Sequence, residues 1–204
     1  IEAFERIEGR AAWYTPWGDP ADTRSITVGR DGALYVNVHV GGVARSTDGG
    51  RSWRATLDIE TDVHQVLADP TVAGRVFAAA AVGLVVSDDG GESWRTETEG
   101  LHARYCRAVA VSQAAVLVTA STGHRGRRAG LYRRALDGPP GFERCREGLP
   151  DSFGDNIDTH CLAAAGATAV FGTEDGQVYA SRDEGSSWQL LAKGLAPVRC
   201  LALA

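Results

Sequence analysis

An all-β chain built of repeated four-stranded antiparallel sheets is what this sequence predicts, on three observations. An octapeptide returns three times, as STDGGRSW (46–53), SDDGGESW (87–94) and SRDEGSSW (181–188), in the shared frame S-x-D-x-G-x-S-W. Self-similarity on this scale marks a repeat architecture. Four short strand-like runs accompany each copy, with Asp, Gly and Pro turn signals between them. A length of 204 residues with 44% hydrophobic and 23% charged side chains then describes a globular chain able to bury a real core.

The second repeat sets the pattern for one sheet. Its strands, labelled A to D from the inside of the fold outward, are expected at 64–68, 75–80, 83–87 and 93–97, with Asp69-Pro70 and Asp89-Gly90-Gly91 turning the chain. A strands follow at 24–28, 106–111 and 160–164, and B strands at 33–38, 115–120 and 169–172. Trp188 stands more than twice as far from Trp94 as Trp94 does from Trp53, so one repeat belongs between them. The stretch 130–149 supplies it in eroded form, with Phe142 near the tryptophan position. At the ends, FERIEG (4–9) is similar to the D run FERCREG (142–148), and VRCLALA (198–204) is similar to an A strand. The expected sheets are 22–57, 62–98, 104–148 and 158–194, with an outer strand in 1–9 and an inner strand in 197–204.

The repeated frame resembles the Asp-box, or BNR, repeat, and the chain resembles bacterial BNR-repeat propeller proteins over nearly its whole length. The motif has a physical reading of its own. An Asp carboxylate accepts backbone N–H bonds inside a tight turn, glycine supplies the positive φ, Ser hydroxyls close the turn, and Trp plugs the gap between neighbouring sheets. Ser46, Asp48, Gly50 and Trp53, then Ser87, Asp89, Gly91 and Trp94, then Ser181, Asp183, Gly185 and Trp188, are accordingly read as structural. The fold expected is a β-propeller with Asp-box C–D turns, present here as about four blades plus end strands of a ring of six or seven. Closure of such a ring removes the exposed sheet edges that four blades alone would carry.

In that topology the D–A and B–C connections share one face, and all five histidines fall on it: His39, His64, His102, His124 and His160. Trp13, Tyr14, Trp17, Tyr105 and Phe153 join them. Strict alternation along the A strands would place Arg24, His64, Cys106, His160 and Arg199 in a ring at the channel mouth, with Asp22, Asp62 and Asp158 above it. The ring reads either as mutually satisfied Asp–His and Asp–Arg pairs or as a binding site. The long connection STGHRGRRAG (121–130) adds His124 and Arg125, with Arg127 and Arg128, as a solvated loop or an anion clamp. The stretch 148–157 brings Asp151, Phe153 and Asp155 to the same face. Asp62 and His64, Asp158 and His160, and Cys106 are ligand types suited to zinc. Because the two triplets lie two blades apart, no metal is expected, and with no GxxxxGK[ST] or dinucleotide fingerprint in the sequence no cofactor is either.

Two function classes stay open. The first is a binding platform that takes a small anionic molecule, a glycan or a protein segment in the His-, Arg- and Asp-lined pocket. The alternative is a glycoside hydrolase of the sialidase type, which the resemblance implies. Such enzymes hold the sugar carboxylate with an arginine triad, use a Tyr–Glu nucleophile and carry a motif close to F-R-I-P. Phe4-Glu5-Arg6-Ile7 departs from that motif and no Tyr–Glu–Arg set maps onto this sequence. Arg24 and Arg199 with Asp62 or Asp158 would be the nearest approach to a sugar site. With 26 acidic against 21 basic residues, nucleic acid and membrane are not expected partners. The cysteines Cys106, Cys145, Cys161 and Cys200 form no CxxC pair and read as free, buried thiols, which points to a cytoplasmic setting. Opening on Ile1 with no methionine anywhere, the sequence reads as lacking its true N-terminus.

Overall fold

The computed structural model describes residues 1–203. Four four-stranded sheets are present, each a meander in chain order. The first holds β1 (Thr23–Val28), β2 (Leu34–Val38), β3 (Gly42–Ser46) and β4 (Arg54–Leu57). The second holds β5 (Val63–Ala68), β6 (Val76–Ala80), β7 (Gly83–Ser87) and β8 (Arg95–Glu97). The third holds β9 (Tyr105–Val111), β10 (Ala115–Ser121), β11 (Gly130–Ala135) and β12 (Glu143–Arg144). The fourth holds β13 (Leu162–Ala165), β14 (Thr168–Gly172), β15 (Val178–Ser181) and β16 (Gln189–Ala192). Two compact units divide the chain, Ile1–Thr96 and Glu97–Ala204, the division falling inside β8. No helix among the described residues is long and apolar enough to cross a membrane.

In the first unit, the apolar residues of the first two sheets interdigitate: Tyr35, Val43, Val63, Val66, Val76 and Val85 are buried together, with Trp94 against them. Burying a side chain of this size stabilises the fold by roughly 1.5–3 kcal/mol. A polar tie crosses the same gap. Ser25 donates to Asn37 Oδ1, Asn37 Nδ2 donates to Val63 O at 2.8 Å, and the Val66 amide donates to Ser25 Oγ at 2.8 Å. In the second unit Thr119 makes a comparable tie: it donates to Ile157 O at 2.9 Å and accepts from the Ala108 amide at 3.0 Å. Its core gathers Leu117, Leu131, Phe153, Phe171, Tyr179 and Trp188, with Trp188 edge-on to Phe171 at 5.0 Å.

The three Asp boxes share one set of bonds among their Asp, Ser and Gly residues. Ser52 donates through its hydroxyl to Asp48 Oδ2 at 2.6 Å and through its amide to Oδ1 at 2.9 Å, while Ser46 donates to Oδ1 at 2.9 Å and accepts from the Gly50 amide at 2.9 Å. Asp89 with Ser87, Gly91 and Ser93, and Asp183 with Ser181, Gly185 and Ser187, repeat the pattern. Hydrogen bonds to the charged carboxylate, from Ser52 and Ser93 first of all, hold Asp48 and Asp89 well below the usual carboxylate range. The Ser187 hydroxyl brings Asp183 down to about 2 in the same way. In the eroded third repeat Phe142 fills the tryptophan place. A Cβ on Gly100 would lie 2.0 Å from Phe142 O, as one on Gly148 would lie 1.8 Å from Trp188 O, and both glycines have positive φ.

Both chain ends depart from the expected strands. Residues Glu2–Glu5 form a helical turn, with a Glu2–Arg6 ion pair, and Phe4 lies edge-on to Trp13 and Trp53. The related run at Glu143–Arg144 is a strand because β11 offers it a ladder partner. Residues 1–9 pair with no strand, and a local helical turn satisfies their amides internally instead. Residues 197–203 are likewise not a strand, although the Val198 amide bonds Thr173 O at 3.1 Å and the Leu201 amide bonds His160 O at 2.8 Å. Ala204, also placed in that expected strand, lies outside the described residues.

Candidate functional site

In the first unit, the end of β2 and the start of β5 converge. Val38 closes β2, and His39 follows it, fixed by its amide bonding Asp22 O at 3.1 Å. Asn37 holds Val63 from the other side, and Asp62 before it takes a left-handed conformation, φ 50 and ψ 70, with its carbonyl accepting from the Ala81 amide at 3.0 Å. An αL aspartate is a local cost retained only where its surroundings over-determine it. The result places Asp62 Oδ1 at 3.5 Å from His39 Nε2 and 3.6 Å from His64 Nε2. Both imidazoles are buried, His64 completely. On the far side of His39, Arg24 Nη1 stands 3.1 Å and Asp22 Oδ1 3.6 Å from Nδ1. The exposed Trp17 covers the His39 ring at 4.7 Å between centroids.

The second unit does something different with the same type of sequence. Arg107 forks onto Asp158, Nε to Oδ1 at 2.8 Å and Nη2 to Oδ2 at 2.9 Å, and Thr159 donates its amide to Asp158 Oδ1 at 2.7 Å. His160 is exposed at positive φ, and β13 begins only at Leu162. Arg199 is forked onto Glu174 at 2.8 and 3.1 Å. His102 stacks on Tyr132 and shares a 2.6 Å hydrogen bond with its hydroxyl; burial, then the nearby Arg144, lowers its pKa.

The arginine-bearing loop is anchored. Asn156 Nδ2 donates to His124 O at 3.1 Å, Ser121 donates to Asn156 Oδ1 at 2.6 Å, and Ala129 pairs with Phe153. His124, Arg125, Arg127 and Arg128 are exposed on it. Beside the same 153–156 segment lies a cleft of about 250 Å³, lined by Phe153, Asp155, Thr173, Glu174, Asp175 and Gln177 among others. The Thr173 hydroxyl, 2.5 Å away, and Gln177 hold Asp175 below its ordinary pKa.

The ring expected from strict alternation is not what the A strands present. Register shifts between Thr23 and Ser25 and between Val63 and Gln65, and one opposite Cys106 between Val118 and Ala120, reset the alternation where the triplets sit. Cys106 is fully buried, its thiol pushed up to about 12 by burial, and Arg107 rather than Cys106 meets Asp158. Cys145 and Cys161 are buried too, but Cys200 is exposed. His39, Glu174, Asp175 and Gln177 escaped the sequence reading as site residues. His39 carried a signal in following directly on a B strand, and the T-x-D-G-Q turn at 173–177 carried one as well.

The family model for the BNR/Asp-box repeat matches residues 85–96, the second box with its tryptophan. No curated protein sequence matches the chain. Among solved structures, the GH74 xyloglucanase from Xanthomonas campestris is similar at 19% identity and TM-score 0.59, over 82% of this chain and 29% of that one. The GH74 enzyme of Niastella koreensis is similar at 14% identity and TM-score 0.62, over 81% and 28%. YCF48, solved bound to the D1 peptide, is similar at 17% identity and TM-score 0.54, over 85% and 54%. The chain thus spans under a third of the two enzymes and about half of YCF48. At such identities the likeness concerns the fold. The chain thus carries the BNR/Asp-box repeat and shares the β-propeller fold of these solved structures, in four four-stranded blades.

Proposed function

We propose that this chain is a binding platform whose ligand is a protein segment of mixed charge, taken by the cleft and the arginine loop of the second unit. The observation that carries the reading is the meeting of both charge signs at one segment. Asp155 and Asp175 line the cleft, beside Glu174 that Arg199 already forks, while Arg125, Arg127 and Arg128 are exposed on the loop anchored to Asn156. A small anion is served poorly by this arrangement. Arg199 and Arg107 are already forked onto carboxylates, and the cleft itself is acidic. The propeller solved with a bound peptide adds support by fold analogy alone.

A sialidase-type hydrolase would need a carboxylic acid kept protonated near neutrality and arginines free for the substrate. Asp175 is shifted the opposite way and suits an acceptor for ammonium, guanidinium or amide donors. The test is calorimetric titration with peptides of basic, acidic and mixed charge, alongside turnover assays on sialosides and xyloglucan. Mixed-charge peptides should bind, more weakly as salt rises, and binding should fall in Glu174→Gln/Asp175→Asn. Glycoside turnover without peptide binding would replace the platform with a hydrolase.

A further inference from the structure

We infer that His39, Asp62 and His64 form a binding site for a divalent transition-metal ion, in the first unit and independent of the segment-binding reading. One ligand atom from each of the three lies within 4.8 Å of the other two. The distances from Asp62 Oδ1 to the two Nε2 atoms, 3.5 and 3.6 Å, are long for hydrogen bonds. They are close to another standard. Four-coordinate zinc sits about 2.0–2.2 Å from nitrogen and oxygen ligands, which separates neighbouring ligand atoms by about 3.4 Å. The carboxylate oxygen therefore already stands about one coordination edge from each imidazole nitrogen.

The surroundings favour a metal over a loose ion pair. Both rings are held in a dry environment, at 3% and 0% exposure, and Asp62 Oδ1 is buried with His64 Nε2 although the rest of the Asp62 side chain reaches solvent. Three protein ligands with a water as the fourth would complete a tetrahedral set. His64 is fixed within β5, His39 by its amide bond to Asp22 O, and Asp62 by its αL backbone and the Ala81 amide. Little backbone movement separates this geometry from a coordinated one. Two imidazoles and one carboxylate select zinc and its first-row neighbours and disfavour calcium or magnesium, which take oxygen ligands.

The outer partners complete the argument. When Nε2 of His39 binds a metal, Nδ1 carries the proton and needs an acceptor. Asp22 Oδ1, 3.6 Å away, would take it on closing by about half an ångström. Without metal, Arg24 Nη1 donates to the same Nδ1 at 3.1 Å and holds the opposite tautomer. Metal binding thus exchanges Arg24 for Asp22 at one nitrogen, and Asp22 is a positioning residue for His39.

The experiment uses untagged full chain carrying Cys200→Ser, so that the exposed thiol cannot compete. Zinc is titrated calorimetrically, and Co(II) is followed by its visible absorption, intense when four-coordinate and weak when six-coordinate. We expect one ion per chain with the intense spectrum. Asp22→Asn should lower affinity about 10–100-fold, and His39→Gln and Asp62→Asn, each with its folding checked by circular dichroism, should abolish stoichiometric binding. No binding by the parent chain, a weak six-coordinate spectrum, or binding unchanged in the folded His39→Gln and Asp62→Asn variants would each overturn the site.

Discussion

Asp62-Val63-His64 and Asp158-Thr159-His160 have the same pattern and opposite fates. In the first unit the histidine is fully buried in β5 and the aspartate faces two imidazoles. In the second the histidine is exposed ahead of β13 and the aspartate is forked by an arginine. What differs is the partner each aspartate meets. The first meets His39, delivered by the end of β2, while the second meets Arg107 of β9. A guanidinium beside both carboxylate oxygens sets a cation where a metal would sit. A pair of imidazoles leaves an oxygen facing two nitrogens that can serve a metal. A triplet along a strand thus says which residues are available, and the neighbouring connection decides what they become.

The largest break in this comparison comes from truncating the histidines. His64→Ala should cost about 2–4 kcal/mol, because a fully buried ring leaves a cavity, while His160→Ala should cost about 1 kcal/mol or less at its exposed, left-handed position. Urea unfolding midpoints report both, and equal losses would refute the contrast. Next in size are the ties that set each triplet. Asn37→Ala strands the Val63 carbonyl and the Ser25 hydroxyl, and Thr119→Val strands the Ile157 carbonyl and the Ala108 amide. Each should cost about 1–3 kcal/mol. Hydrogen exchange should show the loss concentrated in the unit that holds the substitution.

How much of this was legible follows from the range of the interactions concerned. The boxes were readable because their bonds are local: Asp48 reaches no further than Ser46, Arg51 and Ser52. Strand positions in the second sheet were readable to within two residues, since alternation and turn signals are local too. The site was less so. His39 stands 23 residues before Asp62 in sequence and 3.5 Å from it in space, and no period links them. The register shifts that move Cys106 off the surface, and the missing ladder partners that turn 1–9 into a helical turn, are properties of neighbours rather than of the segments themselves.

A smaller effect tests the second unit's fork. Arg107 and Asp158 lie near the surface, with 14% and 44% of their side chains exposed. Screening there limits such a pair to roughly 1 kcal/mol. A double-mutant cycle with Arg107→Met and Asp158→Asn should give a coupling of about that size, reduced at high salt. Coupling that ignores salt would mean a desolvated pair and a site more like the one in the first unit.

The smallest effect at neutral pH becomes visible only in acid, and it separates the units by their boxes. The first carries two intact boxes, at Asp48 and Asp89, and the second one, at Asp183, because the eroded repeat lacks the frame. Unfolded, each carboxyl titrates near the ordinary value of about 3.9. Folded, serine hydroxyls and amides keep Asp183 ionised down to about 2 and hold Asp48 and Asp89 ionised in acid as well. A depressed folded value stabilises the protein fully above the unfolded value, and that stability is lost as pH falls through the folded one. Between about pH 5 and 2, then, the C–D turns of the first unit should lose more protection than those of the second. Asp89→Asn removes one of its two titrating staples and should make the acid dependence of the two units' C–D turns alike, which hydrogen exchange read turn by turn at a series of acid pH values would reveal. A difference that survives that substitution would mean the acid response comes from outside the boxes.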